Sequence, residues 1–168
     1  MFNSFWKYLG YEDYEATTKN KETNSFFSKK KTLLEEQNPT NFYYLSLIFE
    51  EDNKWSIHGL WPQYTLTKYP RFCKNQEFNI NKLDPIMDRL KQEWYSNRGP
   101  DETFWEHEYL KHGTCNFNNF NEFNYFKTTL DLFDKSIALD LPNEFYNSET
   151  NKCLIPVNKE LKFFRISK

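Results

Sequence analysis

The chain has 168 residues, of which 20% are aromatic, and a formal net charge of −2 with its three histidines neutral. This length suits a single domain, and no run of about 18 apolar residues is present that would form a membrane-spanning helix. A protein that coats or stores nucleic acid is normally basic, because its affinity comes from neutralising phosphates. The charge therefore disfavours that class and leaves room for an enzyme with positive charge only at its cleft.

The first half of the chain predicts an extension followed by a hairpin. Residues 1–41 are polar and lack sustained periodicity, so we interpret them as an N-terminal extension with at most a short helix. Aromatic and branched residues at 42–49 predict a buried strand. A polar turn at 50–53 follows, and a second strand over 54–58 is predicted to end at Gly59.

The second half predicts helices after a loop over 62–80. Asp84 and Pro85 are typical of a helix start, with Asp as the N-cap, and the apolar face of this helix comprises Leu83, Ile86, Met87, Leu90 and Trp94. A further helix is predicted over 102–112, with Gly113 as its C-terminal cap.

A long amphipathic helix and a last strand complete the pattern. The helix presents an apolar stripe made of Phe120, Phe123, Phe126, Leu130, Phe133 and Ile137. The strand is predicted over 161–167. These elements together predict an α+β fold, with a mostly antiparallel central sheet and helices packed on it.

Two segments concentrate the side chains that can do chemistry. The first is His58-Gly59-Leu60-Trp61-Pro62, and the second runs from Trp105 to Cys115; they contain every histidine of the chain. Residues three and four apart share a helix face, so Lys111 lies beside both His107 and Glu108. Such patterns usually mark a solvated, salt-bridged helix. Here aromatic residues flank the charges, which favours the wall of a cleft.

A zinc site is the sharpest alternative for this helix. The zincin helix places two histidines four residues apart, so that both reach one metal. His107 and His112 are five apart, which separates them by roughly 140° at about 100° per residue. Cys115 could supply a further ligand, but the spacing pairs that zinc sites use are missing. The spacing therefore disfavours one shared metal.

Cleavage of RNA fits the same side chains better. The RNA 2′-hydroxyl attacks its own phosphate when a base takes its proton and an acid protonates the leaving 5′-oxygen. Two imidazoles of opposite protonation state do this near neutral or mildly acidic pH. The phosphorane gathers negative charge that a lysine stabilises, and a carboxylate orients an imidazole or the lysine. This chemistry requires no metal.

The two segments together resemble the active-site signatures of the ribonuclease T2 family, H-G-L-W-P and W-x-H-E-x-x-K-H-G-T-C, without a gap or a substitution at a chemical position. The resemblance covers roughly residues 42–168, a ribonuclease T2-like catalytic domain that would follow the extension at 1–41. It implies an endoribonuclease that cleaves single-stranded RNA through a 2′,3′-cyclic phosphate to 3′-phosphate ends.

The resemblance also implies a role for each of five catalytic side chains. His112 matches the base that activates the 2′-hydroxyl, and His58 matches the acid for the leaving group, with the roles exchanged in hydrolysis of the cyclic phosphate. His107 matches a phosphate-binding histidine. Glu108 and Lys111 match the pair that stabilises the transition state.

Three rings match positions that bind a base by stacking, Trp61, Phe104 and Tyr69, although a core tryptophan is the alternative for Trp61. The chain departs from the family pattern in two places. Ile48-Phe49-Glu50 stands where many relatives have Gln-Trp-Pro, and Gln63 replaces an acidic residue that often follows the first signature. Both changes touch base recognition, so nucleotide preference is not carried over.

Three cysteines allow at most one internal disulfide, and three buried thiols are the alternative. The family pairs the cysteine that ends the second signature with one after the first, so the resemblance implies a Cys73–Cys115 disulfide and an unpaired Cys153. The family usually travels the secretory route, which suits a disulfide. No signal peptide and no Asn-x-Ser/Thr acceptor is recognisable in the chain, and its location is left open.

We therefore expect a monomer that acts on single-stranded RNA and uses no metal, no other cofactor and no membrane. A catalytically idle RNA- or protein-binding relative is the first alternative, and a zinc-dependent hydrolase is the second. The intact set of five catalytic side chains argues against the first, and the spacing of the histidines argues against the second.

Overall fold

Two sheets organise the computed structural model, which describes residues 34–167. The strands are β1 (Glu36–Gln37), β2 (Phe42–Phe49), β3 (Trp55–Gln63), β4 (Tyr146–Asn147), β5 (Lys152–Val157) and β6 (Arg165–Ile166). Strands β3, β2, β5 and β4 form, in that order, an antiparallel sheet, and β1 pairs with β6 in parallel. The predicted α+β fold with a mostly antiparallel sheet is confirmed.

Helices cover this sheet. They are α1 (Met87–Glu93), α2 (Asp101–Lys111), α3 (Glu122–Ala138) and α4 (Leu141–Phe145), with 3-10 turns at Ile80–Ile86 and Gly113–Cys115. Aromatic and aliphatic side chains of β2 and β3 pack against those of α3 and of the helices that precede it. Within residues 34–167, no helix combines the length and the apolar character needed to cross a membrane.

The predicted hairpin forms, but its second strand is longer than the sequence indicates. Strand β3 continues through Gly59 to Gln63, and Pro62 is tolerated there because β3 lies at the edge of the sheet. Ser46 pairs with Gly59 and Leu47 with Ile57, which leaves His58 as an extra residue on β3. Such a β-bulge bends the strand and changes where its side chains point.

The start of the next helical segment differs from the prediction. Asn79 is the N-cap, because its side chain accepts a hydrogen bond from the backbone N–H of Asn81 at 3.1 Å. Asp84 and Pro85 therefore lie inside the 3-10 turn, and α1 begins only at Met87. The predicted apolar face is confirmed as core, because its members are buried or packed against the buried cluster: Leu83, Ile86, Met87, Leu90 and Trp94.

Helix α2 lies within one residue of the predicted bounds, but Gly113 plays a different part from the one expected. The residue begins a 3-10 turn, and a Cβ atom there would collide with the ring of Tyr109. Glycine is therefore needed for close packing. Helix α3 begins after Asn121, whose side chain accepts from the N–H of Asn124 at 2.9 Å.

The aromatic stripe predicted for α3 is buried over its centre only. Phe126, Leu130 and Phe133 are core residues, whereas Phe120 precedes the helix and Ile137 is 44% exposed. The stripe therefore ends one turn earlier than the sequence pattern indicates.

The chain's last strand is shorter than predicted. Of residues 161–167, only Arg165–Ile166 form β6, and Phe163 makes an isolated bridge to Val157. Strand β5 was not predicted because it is short and contains Pro156. Residues 36–37, within the range predicted as an extension, form β1. The rest of that range up to residue 33 lies outside the described residues, so the extension stays a prediction.

A disulfide joins the loop after β3 to the end of α2. Cys73 and Cys115 are bonded, with their Cα atoms 5.1 Å apart, and Cys153 is a buried free thiol. The pairing that the sequence resemblance implied is confirmed.

Candidate active site

The three histidines of the chain gather where β3 passes α2. His58 comes from the bulge of β3. Helix α2 provides His107, Glu108 and Lys111, and His112 directly follows the helix. His58, Glu108, Lys111 and His112 are all buried. Nε2 of His58 lies 3.7 Å from Oε1 of Glu108. The structure thus brings the predicted catalytic side chains together from two distant segments.

Trp61 connects three of these side chains. Its Nε1 donates a hydrogen bond to Oε2 of Glu108 at 2.8 Å. Its ring stacks on that of His112, with centroids 5.3 Å apart and planes at 27°, and meets the His58 ring edge-on at 5.0 Å. Trp61 is half-buried, neither the core tryptophan of the alternative interpretation nor a ring open on both faces.

Gly59 makes the approach of β3 to α2 possible. A Cβ atom at this position would collide with Oε2 of Glu108 and with Nε1 of Trp61. Any other residue would therefore displace the hydrogen bond between these two side chains. The position of a glycine inside the first signature was a signal for such close contact, but the sequence did not show which side chain would fill the space.

Two buried tryptophans hold the backbone of the bulge, and sequence reasoning missed their role. Nε1 of Trp94 donates to the carbonyl oxygen of His58 at 3.0 Å, and Nε1 of Trp105 donates to the carbonyl oxygen of Trp94 at 2.6 Å. Two residues further along β3, the carbonyl oxygen of Leu60 accepts a hydrogen bond from the hydroxyl of Tyr125 at 2.9 Å. These hydrogen bonds join residues far apart in the chain, so local sequence patterns do not predict them.

Burial disfavours charge throughout the site. Burial, together with the positive charge of Lys111 and His107, lowers the pKa of His58 to about 3. Burial and the charge of Lys111 also lower the pKa of His107. Burial, Lys111 and the other two imidazoles lower the pKa of His112 well below its usual value. With these shifts the three imidazoles are neutral near neutral pH.

Glu108 and Lys111 titrate as an interacting pair. Burial raises the pKa of the Glu108 carboxyl and lowers that of the Lys111 ammonium, while their mutual attraction opposes both shifts. Neither ring nitrogen of His112 has a hydrogen-bond partner within residues 34–167. Buried polar atoms normally have one, so an imidazole with both nitrogens unsatisfied is more typical of a functional site than of a packed core.

The predicted base-binding rings lie in different surroundings. Phe104 is half-buried, and its ring meets that of His58 at 5.6 Å. Tyr69 lies in the loop after β3 and is 40% exposed. Of the positions that depart from the family pattern, Gln63 is buried in β3 and Phe49 is 40% exposed. Among the described residues, no group of three or more His, Cys, Asp or Glu side chains is arranged to hold a metal ion.

Two curated ribonucleases are similar to this chain. Ribonuclease DdI of Dictyostelium discoideum is 37% identical over 107 residues, which cover 61% of this chain and 48% of that relative. Ribonuclease Oy of Magallana gigas is 43% identical over 89 residues, or 48% of this chain and 41% of that relative. The chain thus spans less than half the length of either curated relative.

Solved structures share the fold at low sequence identity. Ribonuclease MC1 from the seeds of bitter gourd matches with a TM-score of 0.62 and 18% identity, over 76% of this chain and 95% of that one. RNase NT, solved in complex with 5′-AMP, matches with a TM-score of 0.59 and 22% identity, over 77% and 91%. The sequence model of the ribonuclease T2 family matches residues 27–149, and the chain belongs to this family.

Proposed function

We propose that this protein is an endoribonuclease that cleaves single-stranded RNA without a metal ion, through a 2′,3′-cyclic phosphate. Membership of the ribonuclease T2 family supports the activity. The observation that carries the proposal is the gathering of His58, His107 and His112 around Lys111 and Glu108. One pocket thus offers two proton-transfer groups and a cation for a phosphate.

Cleavage would proceed in two steps. His112 takes the proton of the 2′-hydroxyl as its oxygen forms a bond to phosphorus, and His58 donates a proton to the 5′-oxygen as the bond from phosphorus to that oxygen breaks. This step leaves the cyclic phosphate. In the second step the roles are exchanged: His58 takes a proton from water, water opens the ring, and His112 returns a proton to the 2′-oxygen.

The remaining side chains act on charge and position. His107 would bind a phosphate oxygen, and Lys111 would stabilise the negative charge that grows on the phosphorane. Oε2 of Glu108 is held by Trp61, and Oε1 lies near His58. The carboxyl would therefore orient the His58 ring. Trp61, Phe104 and Tyr69 would bind bases by stacking.

Burial lowers the pKa of His58, although His58 must carry a proton to act as the acid. An RNA phosphodiester brings a negative charge beside the imidazoles, and a nearby opposite charge raises the pKa of a histidine. The proton would therefore enter together with the substrate. Rate plotted against pH should be bell-shaped, since one imidazole must be neutral while the other is protonated.

Incubation with RNA in an excess of chelator tests this proposal most directly. Cleavage should persist, 2′,3′-cyclic phosphate ends should accumulate, and DNA should be spared, because the nucleophile is the substrate's own 2′-hydroxyl. His58→Ala and His112→Ala should each lose rate by about 10²–10⁴-fold. Activity that returns only with added zinc would support a metal hydrolase instead. RNA binding without cleavage would support a catalytically idle relative.

A further inference from the structure

The loop that follows β3, residues 64–76, is unlike the rest of the surface. Seven large apolar side chains are clearly exposed among residues 34–167, and four of them belong to this loop: Tyr64, Leu66, Tyr69 and Phe72. The loop also carries three basic residues and no acidic one, in a chain whose net charge is −2: Lys68, Arg71 and Lys74. Exposed rings among cations are the combination that binds single-stranded nucleic acid.

Phe72 is held in an exposed position by its own backbone. Its φ of 51° lies in the left-handed region, which a bulky residue rarely adopts. Its N–H donates to the carbonyl oxygen of Lys111 at 2.9 Å, and the N–H of Cys73 donates to Oγ1 of Thr114 at 3.1 Å. The disulfide from Cys73 fixes the same place. The side chain nevertheless remains 57% exposed.

Phe72 borders the active site at His107. Its ring meets that of His107, with centroids 6.4 Å apart and planes at 77°. Trp61 and Phe104 instead contact His58. An unfavourable backbone conformation, fixed next to a functional pocket, is more often kept for function than for packing.

Arg71 places a second cation beside the same pocket. The guanidinium is exposed and lies close enough to Lys111 to act on its charge: burial lowers the pKa of Lys111, and Arg71 lowers it further against the opposing pull of Glu108. A guanidinium in this position suits a phosphate next to the one that is cleaved, because it remains charged and can bind two oxygens at once.

We propose that Phe72 and Arg71 form a further nucleotide-binding subsite, in which Phe72 stacks on a base beyond the two nucleotides at the cleaved bond and Arg71 binds the phosphate that joins it. The occupant is single-stranded RNA longer than a dinucleotide. This inference rests on the proposed function. Stacking is tolerant of sequence, so the subsite would favour longer chains rather than a particular base.

Substrate length provides the test. The variants are Phe72→Ala, Phe72→Asn, which removes the ring with a residue that accepts a left-handed backbone, and Phe72→Tyr, which keeps the ring. Leu66→Ala, an exposed residue of the same loop, is the matched control. Each is assayed on a dinucleotide and on a single-stranded hexanucleotide.

The ring-deleting variants should lose about 5- to 150-fold in kcat/KM on the hexanucleotide, the range for one stacked base. They should stay within about twofold of wild type on the dinucleotide. Phe72→Tyr and Leu66→Ala should behave as wild type on both. Arg71→Ala should weaken binding of the hexanucleotide and flatten its salt dependence. Equal losses on both substrates, or no loss on the hexanucleotide with Phe72→Asn, would overturn the subsite.

Binding of a 2′-deoxy hexanucleotide, followed by fluorescence anisotropy, separates this inference from the proposed function. Wild type that cleaves neither RNA would defeat the ribonuclease proposal, while a selective loss of hexanucleotide affinity in Phe72→Asn would still support the subsite. Wild type that cleaves both RNAs, with equal affinity of wild type and Phe72→Asn for the hexanucleotide, would reject the subsite alone.

Discussion

Trp61 illustrates, at the scale of a single residue, how a ring expected to bind a base also orders the groups around it. Its indole N–H donates to Glu108 and its ring stacks on His112. A base could therefore stack only on the face that His112 leaves open. The indole N–H and the ring face can be separated by mutation, because phenylalanine retains a ring and lacks a donor.

We expect Trp61→Phe to lower kcat more than it raises KM, because Glu108 loses the donor that holds it. A buried acceptor left without its donor costs about 1–3 kcal/mol, so the loss in kcat should reach roughly 5- to 150-fold. Trp61→Ala should in addition raise KM, since the ring is gone. Steady-state kinetics on RNA measure kcat and KM of both variants, and melting temperatures show whether each variant is folded under the assay conditions. Unchanged kcat in Trp61→Phe would contradict the positioning role.

The lowered pKa values of the histidines predict that ligand binding takes up protons. Burial lowers the pKa of His58 to about 3 and that of His112 well below 6.5. A phosphodiester anion raises both, so the complex holds more protons than the free protein at mildly acidic pH. Affinity should therefore increase as pH falls from about 7 towards 5.

Calorimetry with a 2′-deoxy dinucleotide in two buffers of different ionisation enthalpy measures this uptake. The probe is not cleaved, and its phosphodiester does not titrate in this range. His112→Ala should take up fewer protons than wild type while it still binds. A proton count of zero for wild type at every pH would show that the imidazoles do not respond to the anion.

Strand β3 is the element that decides where His58 points. Its bulge inserts His58 between two regular pairs of the ladder, and the carbonyl oxygen of the extra residue accepts a hydrogen bond from Nε1 of Trp94. A buried carbonyl that loses its donor costs about 1–3 kcal/mol. The orientation of His58 therefore depends on a helix-end tryptophan that is itself fully buried.

We predict that Trp94→Phe lowers both stability and the activity of the folded protein. Trp105→Phe is the matched control, because both tryptophans are fully buried and each loses one N–H donor, but Trp105 donates to Trp94 and not to His58. Both variants should unfold at lower denaturant concentration. Only Trp94→Phe should lose kcat per folded molecule, and equal kcat in the two variants would argue against control of His58 through the bulge.

At the scale of the whole molecule, the disulfide closes a loop of 42 residues around the site. Closing such a loop contributes about 4 kcal/mol in the chain-entropy model. We therefore expect the Cys73→Ala/Cys115→Ala double variant to unfold at a clearly lower urea concentration. Wild type treated with reductant should behave in the same way.

Cys153, unlike the two bonded cysteines, is a free thiol. It is buried, and burial raises the pKa of its thiol to about 12, so thiol reagents should modify it only after denaturation. Mass spectrometry that found Cys153 bridged to either of the other two cysteines would contradict the pairing. Equal urea midpoints for the oxidised and reduced protein would show that the disulfide does not stabilise the fold.

Local sequence patterns were sufficient to predict the reactive groups and the helix that presents most of them. The periodicity of an α-helix is fixed by local geometry, so His107, Glu108 and Lys111 could be assigned to neighbouring positions from their spacing alone. The two signatures also indicated the family, and the resemblance implied the Cys73–Cys115 pair. The hairpin from β2 to β3 followed from aromatic and branched residues in the first strand and from turn composition, which are again local.

The way in which these parts meet depends on packing between elements and could not be predicted from local patterns. The bulge at His58, the space at Gly59 that Glu108 fills, and the exposed ring of Phe72 each depend on residues distant in the chain. Packing of one element against another overrides local preference: it extended β3 through Pro62 and holds Phe72 in a left-handed backbone conformation. Local patterns carry no record of such contacts, because the energies that select them arise only when the elements pack together.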